Sequence, residues 1–165
     1  MEAWLRKHLP GGRFQNVSAQ RSSAMRAVGG RGNKTTEVRF RLALARAGIR
    51  GWTVRPKGMV GSPDILFTAR SLAVFLDGCF WHGCPKCGHL PKTNIAFWRA
   101  KIEGNRGRDR RNTSLLRRQG LVVLRFWEHQ LIPDSMDRCV NRLKCQLQRK
   151  DAGPKKGRET QRGRV

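Results

Sequence analysis

The residues best suited to chemistry in this chain lie close together, between positions 77 and 89. This short stretch holds three of the five cysteines and two of the four histidines. Cys79, Cys84 and Cys87 have the spacing C-x4-C-x2-C. The last pair is typical of a tight loop that turns two sulfurs toward one zinc ion. A closed tetrahedral site needs one more ligand.

Two histidines are candidates for the fourth ligand. His129 follows the apolar run 121–126, which predicts a buried central strand, and a side chain at the end of such a strand can reach a loop on its neighbour. His89 lies two residues beyond Cys87, and one short loop that supplied all four ligands would be strained. We therefore prefer His129, with His89 as the alternative.

Two aspartates are predicted to meet beside the cysteines. The apolar runs 65–67 and 72–76 flank four residues with turn character, a pattern that predicts an antiparallel hairpin. Asp64 precedes the first run and Asp77 follows the second, so both carboxylates are expected at the same edge of the sheet. A divalent cation between them is one interpretation, and a pair of turn-capping aspartates is the other.

The charge of the chain indicates a polyanionic partner. Its 165 residues include 35 Lys and Arg against 11 Asp and Glu, a formal net charge of +24. Such an excess repels itself in a compact fold and is tolerated beside nucleic acid. No apolar run approaches the roughly eighteen residues that span a bilayer, so no membrane partner is expected. The N-terminus lacks the apolar core of a signal peptide, and in a reducing compartment clustered cysteines favour metal over disulfides.

The length suits one domain of ordinary size. We expect a flexible arm at residues 1–20, a domain at 21–148 and a basic, disordered tail at 149–165. Helical periodicity predicts three helices: one from Thr35 to Gly48, one from about residue 94 to Gly120, and one from Asp134. The apolar face expected on the first helix consists of Val38, Leu42 and Ala45. Glu37, at the first turn of that helix, suits its dipole.

Five ordered motifs resemble one nuclease family. They are the Pro63-Asp64 pair and the runs 77–84, 97–105, 108–111 and 123–129. Together they are similar to the very short patch repair (Vsr) endonucleases, which are mismatch-specific DNA nickases with the PD-(D/E)XK nuclease fold. The resemblance implies an α/β, restriction-endonuclease-like fold of three layers, with a mixed central sheet flanked by helices and a structural zinc site. It also implies a monomer that acts on nucleoid DNA in the bacterial cytoplasm.

The resemblance assigns roles to the residues of the site. It implies structural zinc on Cys79, Cys84, Cys87 and His129, and catalytic Mg²⁺ on Asp64 and the backbone carbonyl of Leu76. In the reaction this implies, Asp64 holds the metal, Glu37 orients the attacking water and His82 is the general base, because its unperturbed pKa lies near the working pH. Asp77 departs from the family, since some members carry histidine there. It is either a further catalytic ligand or a strand cap.

The implied substrate is double-stranded DNA with a T:G mismatch. A T:G pair stacks poorly, so wedging apolar side chains into the helix costs less there than in a matched duplex. By resemblance, Phe80, Trp81 and Trp98 enter from the major groove and Met25 from the minor groove. Lys101 and Asn105 then read the mismatch. The alternative role of Phe80 and Trp81 is to pack over the zinc site.

Two other function classes fit the same chain. A non-catalytic zinc-dependent module that binds nucleic acid would use the cysteines and the charge, but would have no use for Asp64, Glu37 and His82 together. A nuclease of the same fold with another target would retain the metal site without the mismatch preference. Nicking of a mismatched duplex discriminates between them.

Overall fold

The computed structural model of the protein describes residues 34–149. The expected arm, Met25 and the tail beyond residue 149 lie outside this part of the chain. The described helices are α1 (Lys34–Arg46), α2 (Ile95–Arg118) and α3 (Pro133–Gln148). The described strands are β1 (Thr53–Val54), β2 (Ile65–Phe67), β3 (Leu72–Asp77) and β4 (Val122–Trp127). Short 3₁₀ turns follow β2 and β4, at Thr68–Arg70 and Glu128–Gln130.

The four described strands form one mixed sheet in the order β1-β2-β3-β4. The predicted hairpin is confirmed: β2 and β3 are antiparallel, with Ile65 opposite Val74. β4 pairs with β3 in parallel, from Leu72 opposite Val122 to Asp77 opposite Trp127. The prediction of a central position for β4 is wrong, because β4 ends the order of the described strands. The apolar sequence of β4 is explained by the helices that cover both faces of the sheet. Composition alone does not distinguish a strand covered on both faces from a strand with hydrogen-bonded neighbours on both edges.

Helices cover both faces of this sheet, as expected. Alternate residues of β3 point to opposite sides, so Val74 joins the larger core with Phe40 of α1 and Leu143 of α3. Phe75 joins a smaller core with Leu116 of α2. The sheet therefore separates α1 and α3 from α2. The end of β3 is held between these two layers.

Helix α1 packs through a different face from the one its sequence predicts. Val38 and Leu42 are 42% and 52% exposed, whereas Phe40 and Leu44 are fully buried. Glu37 lies on the buried face and is only 6% exposed. An acid at a core-facing position weakens the apolar periodicity of that face, which is why the prediction chose the wrong side. Gly48 ends the helix with φ +72°, as its position predicted.

Helix α3 agrees more closely with its predicted face. Met136, Val140 and Leu143 are buried. Pro133 occupies the first turn, where its missing N–H leaves no intrahelical bond unmade. Cys139 and Cys145 are free thiols, one buried and one exposed. Among the described residues, no helix combines the length and apolar character that crossing a membrane requires.

Candidate active site and metal centre

The loop after β3 folds back tightly on itself. The Cys84 amide donates to the Cys79 carbonyl at 2.9 Å, and the Gly88 amide donates to the Cys84 carbonyl at 2.8 Å. A Cβ atom at Gly88 would lie 2.5 Å from the carbonyl oxygen of Cys84, so only glycine fits there. The loop therefore brings the sulfurs of its cysteines to one side.

His129 completes a four-residue cluster with these cysteines. The Sγ atoms of Cys79, Cys84 and Cys87 and a ring nitrogen of His129 all lie within 4.8 Å of one another. His129 Nδ1 is 3.3 Å from the sulfur of Cys79, 3.6 Å from that of Cys84 and 3.3 Å from that of Cys87. The parallel pairing of β3 with β4 produces this proximity, since His129 lies two residues beyond the partner of Asp77.

The cluster fits a zinc ion. Ligands 2.0–2.3 Å from a tetrahedral zinc are separated by about 3.5–3.8 Å, and three thiolates with one imidazole are a common ligand set. Without a cation, the pKa of the Cys79 thiol is raised to about 12, chiefly by burial and also by its hydrogen bond with Cys87. A cation would offset the cost of bringing these sulfurs together as thiolates. His89 is not in the cluster, and its ring lies 6.1 Å from that of Phe80.

Asp64 lies on the other side of the end of β3, at the start of β2. Its carboxylate accepts a hydrogen bond from the Leu76 amide at 2.7 Å. The pKa of Asp64 is raised from 3.8 to about 6, chiefly by burial and to a smaller extent by the charges of Glu37 and Asp77. The Leu76 hydrogen bond and Arg55 act in the opposite direction. Glu37 and Asp77 thus both interact electrostatically with Asp64, and carboxylate oxygens are ligands that suit Mg²⁺.

Glu37 reaches this region from α1. Its buried carboxylate accepts a hydrogen bond from Arg55 at 2.5 Å, and Arg55 lies at the end of β1 with φ +46°. An acid in the first turn interacts favourably with the helix dipole even when its side chain is exposed. The dipole therefore does not explain why Glu37 is buried. Burial and a fixed cationic partner distinguish it from an ordinary acid of a first helical turn.

Asp77 forms a buried ion pair that the sequence did not reveal. Arg125 of β4 donates to its two carboxylate oxygens at 2.6 and 2.7 Å. His82 Nδ1 is 3.7 Å from Asp77 Oδ1. Both oxygens of Asp77 therefore already accept hydrogen bonds within the protein. This arrangement differs from that of a simple strand cap and from that of a metal ligand without protein partners.

His82 has a closer acidic partner, Asp109 of α2. Its Nδ1 lies 2.6 Å from Asp109 Oδ2. Burial by itself would raise the pKa of Asp109, but the hydrogen bond and charge of His82, together with Arg125, lower it. A Cβ atom at Gly83 (φ +63°) would lie 2.6 Å from Ile102 Cγ2, so glycine allows this loop to approach α2 closely. Sequence reasoning missed Asp109 as a site residue, although its position four residues after Asn105 indicates a shared helix face.

The aromatic residues of the loop pack together over α2. The ring centroids of Phe80 and Trp81 are 5.1 Å apart, and those of Phe80 and Trp98 are 5.2 Å apart. Trp98 is 8% exposed, while Phe80 and Trp81 are partly exposed. In the absence of DNA, the cluster resembles a small core with one open side.

Asn105 supports this aromatic loop from below. Its amide nitrogen donates to the Trp81 carbonyl at 2.8 Å, and its amide oxygen accepts from Arg108 at 2.9 Å. Asn105 is 7% exposed, whereas Lys101, one turn earlier, is partly exposed. Asn105 can therefore make its predicted contact with DNA only if it breaks these two hydrogen bonds and forms new ones to the bases.

Comparisons with known proteins show the family to which this chain belongs. A family model described as DNA mismatch endonuclease Vsr matches residues 15–87. The chain is 40% identical over 142 residues to the type II nicking enzyme V.NaeI of Lentzea aerocolonigenes, a match that covers 84% of this chain and 85% of that enzyme. It is 36% identical over 112 residues to the DNA mismatch endonuclease Vsr of Escherichia coli K12, covering 67% of this chain and 70% of that protein. With this identity over most of both chains, the protein belongs to the Vsr family of DNA mismatch endonucleases.

Proposed function

We propose that this family member nicks one strand of DNA beside a T:G mismatch by Mg²⁺-dependent hydrolysis of a phosphodiester bond, the step that initiates very short patch repair. The observation that carries the proposal is that Asp64 and His82 both contact the end of β3. The carboxylate of Asp64 accepts a hydrogen bond from the Leu76 amide, and the imidazole of His82 lies near Asp77 and bonds Asp109. A carboxylate whose pKa is raised by burial and an imidazole oriented by a second carboxylate are groups that suit metal-assisted hydrolysis.

The proposed metal ligands follow from the same geometry. Cys79, Cys84, Cys87 and His129 would hold structural zinc, and this would fix His82, which lies two residues before Cys84. Asp64 and the carbonyl of Leu76 would hold Mg²⁺. When bound, Mg²⁺ supplies Lewis-acid stabilisation of the charge that develops on the phosphate and on the leaving oxygen.

Within the chain itself, His82 is the proposed proton acceptor. Because its Nδ1 bonds Asp109, its Nε2 is the nitrogen left to take a proton from the attacking water. Asp109 holds the ring in that tautomer and orientation, as a carboxylate does in other general-base pairs. Glu37, held by Arg55, is proposed to orient the water.

The bound Arg125 changes the proposal for Asp77. Both of its oxygens accept hydrogen bonds from Arg125, so we propose that it shapes the site without binding Mg²⁺. Its charge also raises the pKa of Asp64. Asp77 therefore adds negative potential to the site from a fixed position.

Mismatch recognition is proposed to use the aromatic loop. Phe80, Trp81 and Trp98 form the wedge on the major-groove side, and Met25 the wedge on the opposite side. Lys101 and Asn105 contact the mismatched bases, Asn105 after exchanging its bonds to Trp81 and Arg108. The weak stacking of a T:G pair lowers the cost of this insertion.

The finer features of fold and organisation are proposals of the same kind. The mixed sheet between helices suits the restriction-endonuclease-like fold that the family implies. We place the enzyme domain at residues 21–148 and propose that it acts as a monomer. The net charge of +24 suits a place on nucleoid DNA in the bacterial cytoplasm.

A nicking assay tests the proposed function. Zinc-loaded protein is incubated with Mg²⁺ and end-labelled duplexes that contain T:G or T:A at one position, with the single strand as a third substrate. We expect one cut, on the strand with the mismatched T, only with Mg²⁺ and only in the T:G duplex. The matched control is Asp64→Asn, which preserves shape and removes the charge. Equal cutting of the T:A duplex would show that the enzyme recognises a target other than the mismatch. A wild-type nicking rate in Asp64→Asn would show that Asp64 is not part of the catalytic site.

A further inference from the structure

A groove of about 700 Å³ opens beside the His82–Asp109 pair, on the α2 side of the sheet. Its outer wall is formed by four arginines of α2, and we call it the basic groove. The arginines are Arg106, Arg110, Arg117 and Arg118. Arg125, Asp77, Asp109 and His82 form its inner end. The groove thus begins at the proposed catalytic pair and leads away from it.

The arginines follow one face of the helix. Positions 106, 110 and 117 are separated by four and seven residues, which places them in one row. With a rise of 1.5 Å per residue, the row is about 16 Å long. Thr113 and Ser114 lie along the same row and add hydroxyl groups. The row therefore carries cationic and hydroxyl groups along this length, and Trp127 adds apolar surface to the groove.

These four cations have no acidic partner among the described residues. All four arginines are exposed. Within residues 34–149, the ion pairs of 4.0 Å or less are formed by Arg55, His82 and Arg125, and the groove arginines take part in none. The acids at the inner end, Asp77 and Asp109, are already bonded to Arg125 and His82. Like charges one turn apart destabilise a helix, so an external anion would stabilise this row.

We propose that the basic groove binds the sugar-phosphate backbone of DNA on one side of the nick. This inference rests on the proposed function, because that function places the cut phosphate at His82. Along its axis DNA advances about 3.4 Å per nucleotide of one strand, so a row of about 16 Å spans at most four or five nucleotides. A small anion would occupy only one end of it. The groove therefore extends the DNA contact beyond the mismatch, along a single flank.

Such a contact adds affinity without adding sequence preference. Arginine and hydroxyl groups bind phosphates, which are the same in every sequence, whereas base edges carry the sequence information. The aromatic cluster and Lys101 lie on other parts of α2 and its loop. Removing charge from the far end of the groove should therefore weaken binding and leave the mismatch preference unchanged.

The test uses the double variant Arg117→Ala/Arg118→Ala, which alters only the end of the groove far from His82. Dissociation constants for a T:G duplex are measured over a range of salt concentrations in Mg²⁺-free buffer. Each lost phosphate contact reduces the slope of log K against log salt by about 0.9, so we expect a reduction of about two. The ratio of T:G to T:A affinity should equal that of wild type. The matched control is Arg138→Ala/Lys144→Ala on α3, which removes the same charge from the opposite layer and should preserve the slope.

Shortened duplexes then locate the contact. Removing base pairs from one flank should weaken wild-type binding, and removing them from the other flank should not. Arg117→Ala/Arg118→Ala should be insensitive to both truncations. A wild-type slope in this variant, or an equal loss in the α3 control, overturns the basic groove as a DNA site. Both readouts measure binding alone, so they are independent of the nicking activity. A protein that shows the flank effect but does not nick would contradict only the proposed activity. A protein that nicks the T:G duplex but shows no flank effect would contradict only the proposed role of the basic groove.

Discussion

Arg125 and Asp77 form a two-bond ion pair between neighbouring parallel strands, with donor–acceptor distances of 2.6 and 2.7 Å. The Arg125 guanidinium also lies 3.2 Å from Asp109 and 4.7 Å from the ring centroid of Phe75. Phe75 is the β3 residue paired with Arg125, so the side chain lies along its neighbour toward the end of that strand. One arginine thus fixes two of the acids around His82.

Replacing Arg125 by methionine should destabilise the fold. Asp77 is 4% exposed, and a buried charge left without its partner costs about 3 kcal/mol or more. Urea unfolding measures the loss. The double variant Arg125→Met/Asp77→Asn should recover much of it, because neither charge then remains. A single variant as stable as wild type would show that the pair contributes nothing.

Asp77→Asn should shift the Mg²⁺ dependence of nicking only slightly. Arg125 donates to both oxygens of Asp77, so we expect Asp77 to act on the metal through its charge and not as a ligand. The nicking rate is measured against Mg²⁺ concentration, with Asp64→Glu as the comparison that displaces a proposed ligand. A shift of the half-saturating concentration in Asp77→Asn as large as that in Asp64→Glu would make Asp77 a ligand after all.

Purified protein should contain about one zinc per chain, as a four-ligand tetrahedral site requires. Cys84→Ala and His129→Ala should lose most of this metal and unfold at lower urea concentration, because zinc binding is coupled to folding. His89→Ala is the matched control and should retain zinc, since His89 lies outside the cluster. Elemental analysis of the four proteins measures the result. Retention in His129→Ala with loss in His89→Ala would reverse the choice of ligand.

The stability of Mg²⁺-free protein should fall as the pH rises from about 4 to about 6. Asp64 has its pKa raised from 3.8 to about 6, chiefly by burial, so in this interval the folded state binds a proton that the unfolded state has released. The contribution is complete below the unfolded pKa and is lost as Asp64 ionises in the fold. Asp64→Asn should lack this component, and Mg²⁺ should restore stability near neutral pH. Urea midpoints across the pH range measure it, and identical pH profiles for wild type and Asp64→Asn would contradict it.

His82→Ala should reduce single-turnover nicking by roughly a hundred- to ten-thousand-fold, the effect of losing a general base. Asp109→Asn should reduce it by a smaller factor, because the imidazole remains but its orientation is less well held. Neither variant removes an arginine of the basic groove or an aromatic side chain of the wedge, so the affinity for the T:G duplex should change far less than the nicking rate. Equal rates in His82→Ala and wild type would assign the proton transfer to another group.

Trp81→Ala should lose more of its preference for T:G over T:A than of its overall DNA affinity. Phosphate contacts from the basic residues remain in this variant, and they do not distinguish the two duplexes. Binding of both duplexes at one salt concentration measures the ratio. Equal losses on the two duplexes would assign Trp81 to packing with Phe80 and Trp98.

Features set by neighbouring residues could be predicted from sequence. Cys79, Cys84 and Cys87 are brought together by one short loop, and glycine at position 88 closes it. The β2–β3 hairpin depends on two apolar runs and the turn between them, and it places Asp64 close to Asp77. Family motifs added Glu37 and His82, whose local sequence alone is compatible with ordinary structural roles.

Only the tertiary structure revealed the partners of these residues. His82 and Asp109 are 27 positions apart, and Asp77 and Arg125 are 48 apart. Their contacts depend on how α2 crosses the sheet and on the parallel pairing of β3 with β4, and no local pattern encodes either arrangement. The buried face of α1, and the position of β4 at the end of the described strand order, were missed for the same reason. Local propensity and spacing act over a few residues, whereas charge pairing and burial are decided by the packing of the whole domain.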